Sequence, residues 1–176
     1  MRKIKLYIAT SLNGKIAKPD GSVDWLEYIP NPEKTDYGYA EFFDSIDTTI
    51  QGYNTYNQII NWDIEFPYKG KKNFVLTKKQ NIENTEFVDF ITENHVDFIT
   101  DLKRKGGGDI WLIGGGQANT LILNAGLLDE IQIFVMPIIL SGGIDLFDVF
   151  PTETQLKLLE TKSYSSGVVE MRYKVG

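Results

Sequence analysis

The stretch Asp109-Ile110-Trp111-Leu112-Ile113-Gly114-Gly115-Gly116-Gln117 constrains the fold of this chain more than any other. An apolar run of this kind reads as a buried strand, and here it stops abruptly on three glycines. The residues that follow, Ala118-Asn119-Thr120-Leu121-Ile122-Leu123-Asn124-Ala125, carry apolar positions at helical spacing. The glycines therefore form a strand-to-helix turn. Glycine has no Cβ, so three in a row bend tightly and expose their amides at close range. A helix N-terminus behind such a turn is suited to a phosphate. Plain connectivity is the competing reading, and the spacing is not Gly-x-Gly-x-x-Gly, since the third required position is Asn119.

The rest of the chain supplies the layers around that unit. Ile4 to Ala9 reads as a first strand, followed by a long polar loop through Pro32 that contains Asn13-Gly14 and Pro19-Asp20-Gly21. A loop of that length in a compact domain is usually functional. Thr35 and Asp36 offer N-caps for a helix with Tyr39, Phe42, Phe43 and Ile46 on one side. Thr48–Gln51, Asn73–Leu76 and Glu86–Phe90 read as strands, and Asn54–Asn61 as a short helix. Val96, Ile99, Leu102 and Lys103 mark another helix, which Gly106-Gly107-Gly108 ends as a cap and turn without a ligand. Glu130–Met136 is a further strand, and Leu156–Tyr164 and Val168–Val175 form a hairpin around Ser165-Ser166-Gly167. Strands alternating with helices and then strands alone predict one α/β domain over residues 1–176. Its sheet is mainly parallel, covered by helices on both faces, with an antiparallel edge.

Composition removes several function classes. A formal charge of -6 without a basic face disfavours nucleic acid and anionic membranes as partners. The cluster Lys69, Lys71 and Lys72 reads as a solvated turn. The absence of cysteine excludes disulfides, thiolate catalysis and cysteine zinc sites, and a single histidine, His95, excludes a histidine-rich metal site. His95 reads as a surface residue at a helix start. No targeting or membrane segment is evident, so the cytoplasm is the expected compartment.

In open α/β sheets ligands bind beyond the carboxyl ends of the strands. Those ends carry Thr10-Ser11-Leu12-Asn13-Gly14-Lys15-Ile16-Ala17, Gly52-Tyr53-Asn54-Thr55-Tyr56, Thr77-Lys78-Lys79 and the second glycine triplet. Amides, hydroxyls and ammonium groups in these loops predict a dinucleotide site assembled from several segments. No nucleophile triad is visible. Asp36, where the long loop enters an aromatic-rich helix, can either project into an apolar pocket as a substrate anchor or proton source, or cap the helix. Trp25 can close over a substrate or plug the core.

These loops in this order resemble the dihydrofolate reductase superfamily, specifically the RibD-type reductase domain of riboflavin biosynthesis and its stand-alone bacterial relatives. The resemblance covers essentially the whole chain. It rests on Ser11–Ala17, Val23-Asp24-Trp25-Leu26, Gly52–Tyr56, Ile110–Gly116, Leu127-Leu128-Asp129-Glu130 and Pro137–Phe147. It implies a three-layer fold with an eight-stranded, mainly parallel sheet, NADPH as cofactor, a homodimer, and reduction of a small heterocycle such as 5-amino-6-(5-phosphoribosylamino)uracil. It further implies that Ala9, Thr10, Ile16 and Ala17 border the nicotinamide, that Gly52, Asn54 and Thr55 meet phosphates, and that Thr77 and Lys78 meet the 2'-phosphate. Ile113, Gly114, Gly115, Gly116, Gln117 and Ala118 would cradle the pyrophosphate, with the Gly114–Gly115 peptide cis. Trp25 and Asp36 match the active-site tryptophan and the substrate-binding acid.

The departures from that pattern are local. Tyr53 replaces the usual arginine before Asn54 and Thr55, which loosens the preference for NADPH over NADH unless Lys78 or Lys79 substitutes. The segment between Trp25 and Asp36 lacks the leucine-proline motif of folate enzymes. Two alternatives therefore stand beside the reductase reading: a dihydrofolate reductase proper, and a nucleotide-binding module that has lost catalysis.

Overall fold

The computed structural model describes residues 1–176. Its elements run β1 (Ile4–Ser11), β2 (Lys15–Ala17), a 3-10 helix (Asp24–Tyr28), α1 (Tyr39–Ser45), β3 (Ile46–Gly52), α2 (Tyr53–Ile60), β4 (Lys72–Leu76) and β5 (Val88–Ile91). They continue with α3 (His95–Arg104), β6 (Asp109–Gly114), α4 (Gly116–Asn124), β7 (Glu130–Met136), β8 (Ile144–Asp145), β9 (Leu156–Ser163) and β10 (Val169–Val175). Eight strands form one sheet in the order β5-β4-β3-β6-β1-β7-β10-β9. The first six in that order are parallel, and β10 is antiparallel to both β7 and β9. This is the mainly parallel sheet with an antiparallel C-terminal hairpin that the sequence predicts.

Side-chain alternation explains the layers. Ile4 and Leu6 of β1 face one way, joining Ile50, Ile110 and Leu112 under α3 (Ile99, Leu102) and α4 (Ala118, Ile122). Tyr7 and Ala9 face the other way, toward Trp25 and Phe134, and Trp111 meets Phe42 of α1 and Ile59 of α2. Fully burying each large aliphatic side chain contributes about 1.5–3 kcal/mol. The central strands are thereby fixed between two helical layers, and their carboxyl ends line up along one edge.

Local differences from expectation have local causes. Ile46 opens β3 instead of closing the preceding helix, because it pairs with Asp109 of β6 and is buried. The expected strand at Glu86 begins at Val88, the residue paired with Asn73. The long N-terminal loop is not structureless: β2 pairs with β8, and a 3-10 turn carries Trp25 into the core. Lys71 is not solvated; its ammonium donates to the carbonyl oxygens of Phe43 and Ile46, both at 2.8 Å.

Candidate active site

At the carboxyl end of β6, Gly114 adopts φ 117° and the Gly114–Gly115 peptide is cis. The Gly115 amide donates to Thr55 Oγ1 at 2.9 Å, which ties the glycine turn to the first turn of α2. A Cβ at Gly116 would lie 2.5 Å from the carbonyl oxygen of Asp145, so the start of α4 packs against the β8 backbone with no room for a side chain. Neither α2 nor α4 has a side chain capping its N-terminus. The Thr55–Gly115 bond sets these two helix starts side by side, and uncapped first-turn N–H groups favour anions.

The end of β4 adds cations. Lys78 and Lys79 are exposed and neither pairs with a carboxylate. The Lys79 ammonium lies 3.8 Å from the centroid of the Tyr53 ring, at the first residue of α2. The loop beneath them is held firmly: Thr77 N–H donates to the Ile91 carbonyl at 3.0 Å, and Lys79 N–H donates to Thr77 Oγ1 at 3.1 Å. His95 Nε2 lies 3.1 Å from the Thr77 carbonyl and 2.9 Å from that of Ile91. Both partners are acceptors, so Nε2 carries the proton. His95 is thus a brace for the lysine-bearing loop, a role its surface reading missed because it depends on a strand end distant in sequence.

The segment after β1 is strapped in place on the other side of the turn. Thr10 Oγ1 donates to the Lys15 carbonyl at 3.2 Å, and the Asn13 side chain bonds both the carbonyl and the amide of Leu140. Lys15 pairs with Asp145 at 2.6 Å. Gly143, at φ 148°, leaves no space for a Cβ against the Ala17 carbonyl. A Cβ at Gly114 would stand 3.5 Å from Ile8 of β1, and one at Gly52 would stand 3.8 Å from both the Ala118 Cβ and the Gly114 carbonyl, so the ends of β1, β3 and β6 meet the start of α4. Thr10 and Ala17 are buried; Gln117 and Asn54 are exposed.

Next to Ala9 the surface changes character. A cleft of about 250 Å³ is lined by Ala9, Leu26, Ile29, Asn31, Tyr37 and Met136. Trp25 is fully buried in the same cluster, with Phe134, Met136, Leu140 and Val168, and its indole N–H has no partner. It is a core plug beneath the cleft. Asp36 does not project into the cleft: it is exposed, and its carboxylate accepts from the amides of Gly38 at 2.9 Å and Ala40 at 3.0 Å. The free N–H groups opening α1 capture it, and these bonds hold its pKa below the usual carboxylate range. Tyr37, at φ 55°, turns inward in its place, its hydroxyl 3.0 Å from Ser166 Oγ. Burial, together with Glu170 and Asp36, pushes the Tyr7 phenol up, so the neighbouring ring stays neutral.

A second cleft, of about 300 Å³, lies at the opposite ends of β4 and β5 among Lys69, Lys71 and Lys72. Lys69 is paired with Glu65 and Lys71 with two backbone carbonyls, which leaves Lys72 as the one lysine there without a partner.

The chain is 38% identical to the Bacillus subtilis (strain 168) protein YwjB, itself uncharacterised, over 95% of each chain. Its structure superposes with a TM-score of 0.88 on a candidate riboflavin biosynthesis protein from Shewanella sp. PV-4, at 29% identity over 99% of both chains. A Thermotoga maritima diaminohydroxyphosphoribosylaminopyrimidine deaminase/5-amino-6-(5-phosphoribosylamino)uracil reductase matches at TM-score 0.74 and 15% identity, over 99% of this chain and 57% of that one. Dihydrofolate reductase from Enterococcus faecalis, complexed with NADP(H), matches at TM-score 0.69 and 15% identity, covering 99% and 96%. These neighbours share the fold of this chain. No helix is long and apolar enough to cross a membrane. The model of the RibD C-terminal domain matches residues 2–170, and the chain belongs to that family.

Proposed function

We propose that the protein is an NADPH-dependent reductase of a small ring substrate. The observation that carries this reading is the Thr55–Gly115 bond, which joins two uncapped helix starts beside the unpaired Lys78 and Lys79. These residues suit a dinucleotide. Gly52, Asn54 and Thr55 face one phosphate, and Ile113 through Ala118 the pyrophosphate. Thr77, Lys78 and Lys79 take the 2'-phosphate, with Tyr53 restraining Lys79 where an arginine would otherwise stand. Ala9, Thr10, Ile16 and Ala17 border the nicotinamide, which supplies a hydride when bound. The protein orients two ligands and excludes water between them.

Titration calorimetry with NADPH and NADH tests this. NADPH should bind roughly tenfold more tightly, the discrimination expected from one or two charge-assisted contacts. Absence of binding by either would overturn the cofactor assignment, and binding without oxidation across a panel of ring acceptors would favour the non-catalytic alternative. The folate reading has no observation in its favour, since no free carboxylate lines the cleft.

We also propose a homodimer formed through the C-terminal hairpin. One face of β9 and β10 carries Leu156, Leu158, Val169 and Met171 and no charged residue, with Leu158 52% exposed. Two acidic copies can meet there without apposing like charges. Sedimentation should report a dimer that Leu158→Glu converts to monomer; a monomeric wild type would refute it.

A further inference from the structure

We propose that the cleft beside Ala9 takes an uncharged planar ring bearing a carbonyl, without a phosphate, and that Tyr37 supplies the proton to that carbonyl. The inference rests on the reductase reading and names the substrate class of the same site. Three observations carry it.

The first is charge. None of the six residues lining the cleft is ionisable at neutral pH. A phosphate dianion brought there would lose water without gaining a cation, a cost that excludes it unless a partner is present. Asp36, the acid nearest by sequence, is occupied by two backbone amides, and its lowered pKa keeps it ionised and unable to donate a proton at neutral pH.

The second is size and shape. At about 250 Å³ the cleft falls just below the roughly 300–1,000 Å³ typical of ligand pockets, so it suits one ring system without a long polar tail. Apart from Asn31 its walls are aliphatic or aromatic, with Tyr37 set edge-on to Tyr164 at 4.8 Å between ring centroids. Flat apolar rings bury well against such surfaces.

The third is the supply of protic groups. Asn31 has both ends of its amide committed to the backbone of Thr35, at 2.7 and 3.0 Å. That leaves Tyr37 as the one lining residue with a hydroxyl; it donates to Ser166 Oγ, in the hairpin turn between β9 and β10, at 3.0 Å, and the pair must reverse, with Ser166 donating, for the phenol proton to meet a substrate. Tyr37 is placed there by its left-handed backbone, φ 55°, and by the Tyr7 hydroxyl, which donates to its carbonyl at 3.2 Å.

The acceptor's carbonyl carbon takes the hydride, with its two electrons, from C4 of the reduced nicotinamide, which becomes the oxidised cofactor. The C=O π pair moves onto oxygen, which takes the Tyr37 proton. Ser166 returns a proton to Tyr37 from solvent. One reduced dinucleotide, one proton and one carbonyl give the oxidised dinucleotide and a hydroxyl compound.

The test separates ring class from cofactor chemistry. The chain has three methionines, so methyl-labelled methionine gives a simple spectrum in which Met136 reports on the cleft. Three probes are titrated: menadione, 5-amino-6-(5-phosphoribosylamino)uracil and its dephosphorylated nucleoside. The proposal expects menadione and the nucleoside to shift Met136, with the phosphorylated compound at least about tenfold weaker. Equal or tighter binding of the phosphorylated compound, or no Met136 shift with either neutral ring, overturns the substrate class. With NADPH bound, Tyr37→Phe should lower menadione turnover by roughly a hundredfold, with menadione still shifting Met136 and its affinity lowered by no more than about tenfold, the loss of one hydrogen bond. Unchanged turnover in that variant, or no menadione reduction by a protein that binds NADPH, overturns the role of Tyr37. Failure to bind NADPH would defeat the reductase reading alone, because the Met136 titration needs no cofactor.

Discussion

Two runs of three glycines stand at opposite ends of β6, and they do different work. Gly106-Gly107-Gly108 follows α3 at the amino end of the sheet, where Arg2 bonds the Asp47 carboxylate and donates to the Gly108 carbonyl. The Gly108 amide donates to Asp47 Oδ2 at 2.8 Å. Both backbone groups of Gly108 are thereby satisfied within the protein. Gly114-Gly115-Gly116, at the carboxyl end, leaves a helix start uncapped and stands beside two unpaired lysines. A glycine triplet is therefore uninformative by itself. What it faces decides whether it closes a turn or cradles a ligand.

Substitutions can break this contrast. Gly116→Ala should have the largest effect, because its methyl meets the fixed Asp145 carbonyl. Overpacking of this kind costs about 1–3 kcal/mol. The same displacement should weaken NADPH at least about tenfold, read by urea melts and calorimetry on the same sample. Gly107→Ala places a methyl 2.6 Å from Asp47 Oδ2 at φ 142°, so a comparable stability loss of about 1–3 kcal/mol is expected. Its NADPH affinity should match wild type. Equal loss of cofactor affinity in both variants would erase the distinction between the triplets.

Lys79→Ala sharpens the comparison from outside the glycines. NADPH affinity should fall by roughly tenfold and NADH affinity should not change, since only the former carries the extra phosphate. A parallel fall for both cofactors would place Lys79 elsewhere. The smallest effect concerns pH. Burial raises the Asp47 pKa, but bonds from the Thr48 hydroxyl, the Gly108 amide and Arg2 outweigh it and hold the group below its ordinary value. A depressed carboxylate stabilises the fold above its unfolded pKa and stops doing so as pH falls through the folded one. Protection of the Gly108 amide against hydrogen exchange, taken relative to the intrinsic rate at each pH, should therefore fall in that acid range. Protection of the Gly115 amide, bonded to the Thr55 hydroxyl, should be indifferent; an equal loss at Gly115 would contradict the separate environments.

The sheet and the glycine turn at the end of β6 were legible in the sequence because they are written locally. Ile110–Ile113 running into Gly114–Gly116, and Thr55 one turn into α2, are short-range patterns that backbone chemistry ties to strand ends and helix starts. The ring side was not legible in the same way. Its wall is assembled from Ala9, Leu26, Ile29, Tyr37 and Met136, which meet only once β1, β7 and the N-terminal loop are folded together. Asp36 and Tyr37 illustrate the point. The sequence left Asp36 as either a pocket acid or a helix cap; the N–H groups opening α1 take it as a cap, and the left-handed turn presents the neighbouring phenol instead. Trp25 was ambiguous in sequence because plugging a core and covering a ligand demand the same side chain.

The central claim, that the second triplet and not the first holds the cofactor, is tested most directly by NADPH titration of glycine-labelled protein followed by amide NMR. Shifts should appear at Gly52, Gly114, Gly115 and Gly116, with Gly106, Gly107 and Gly108 unmoved. Shifts confined to Gly106–Gly108, or no glycine shifts at saturating NADPH, would contradict it.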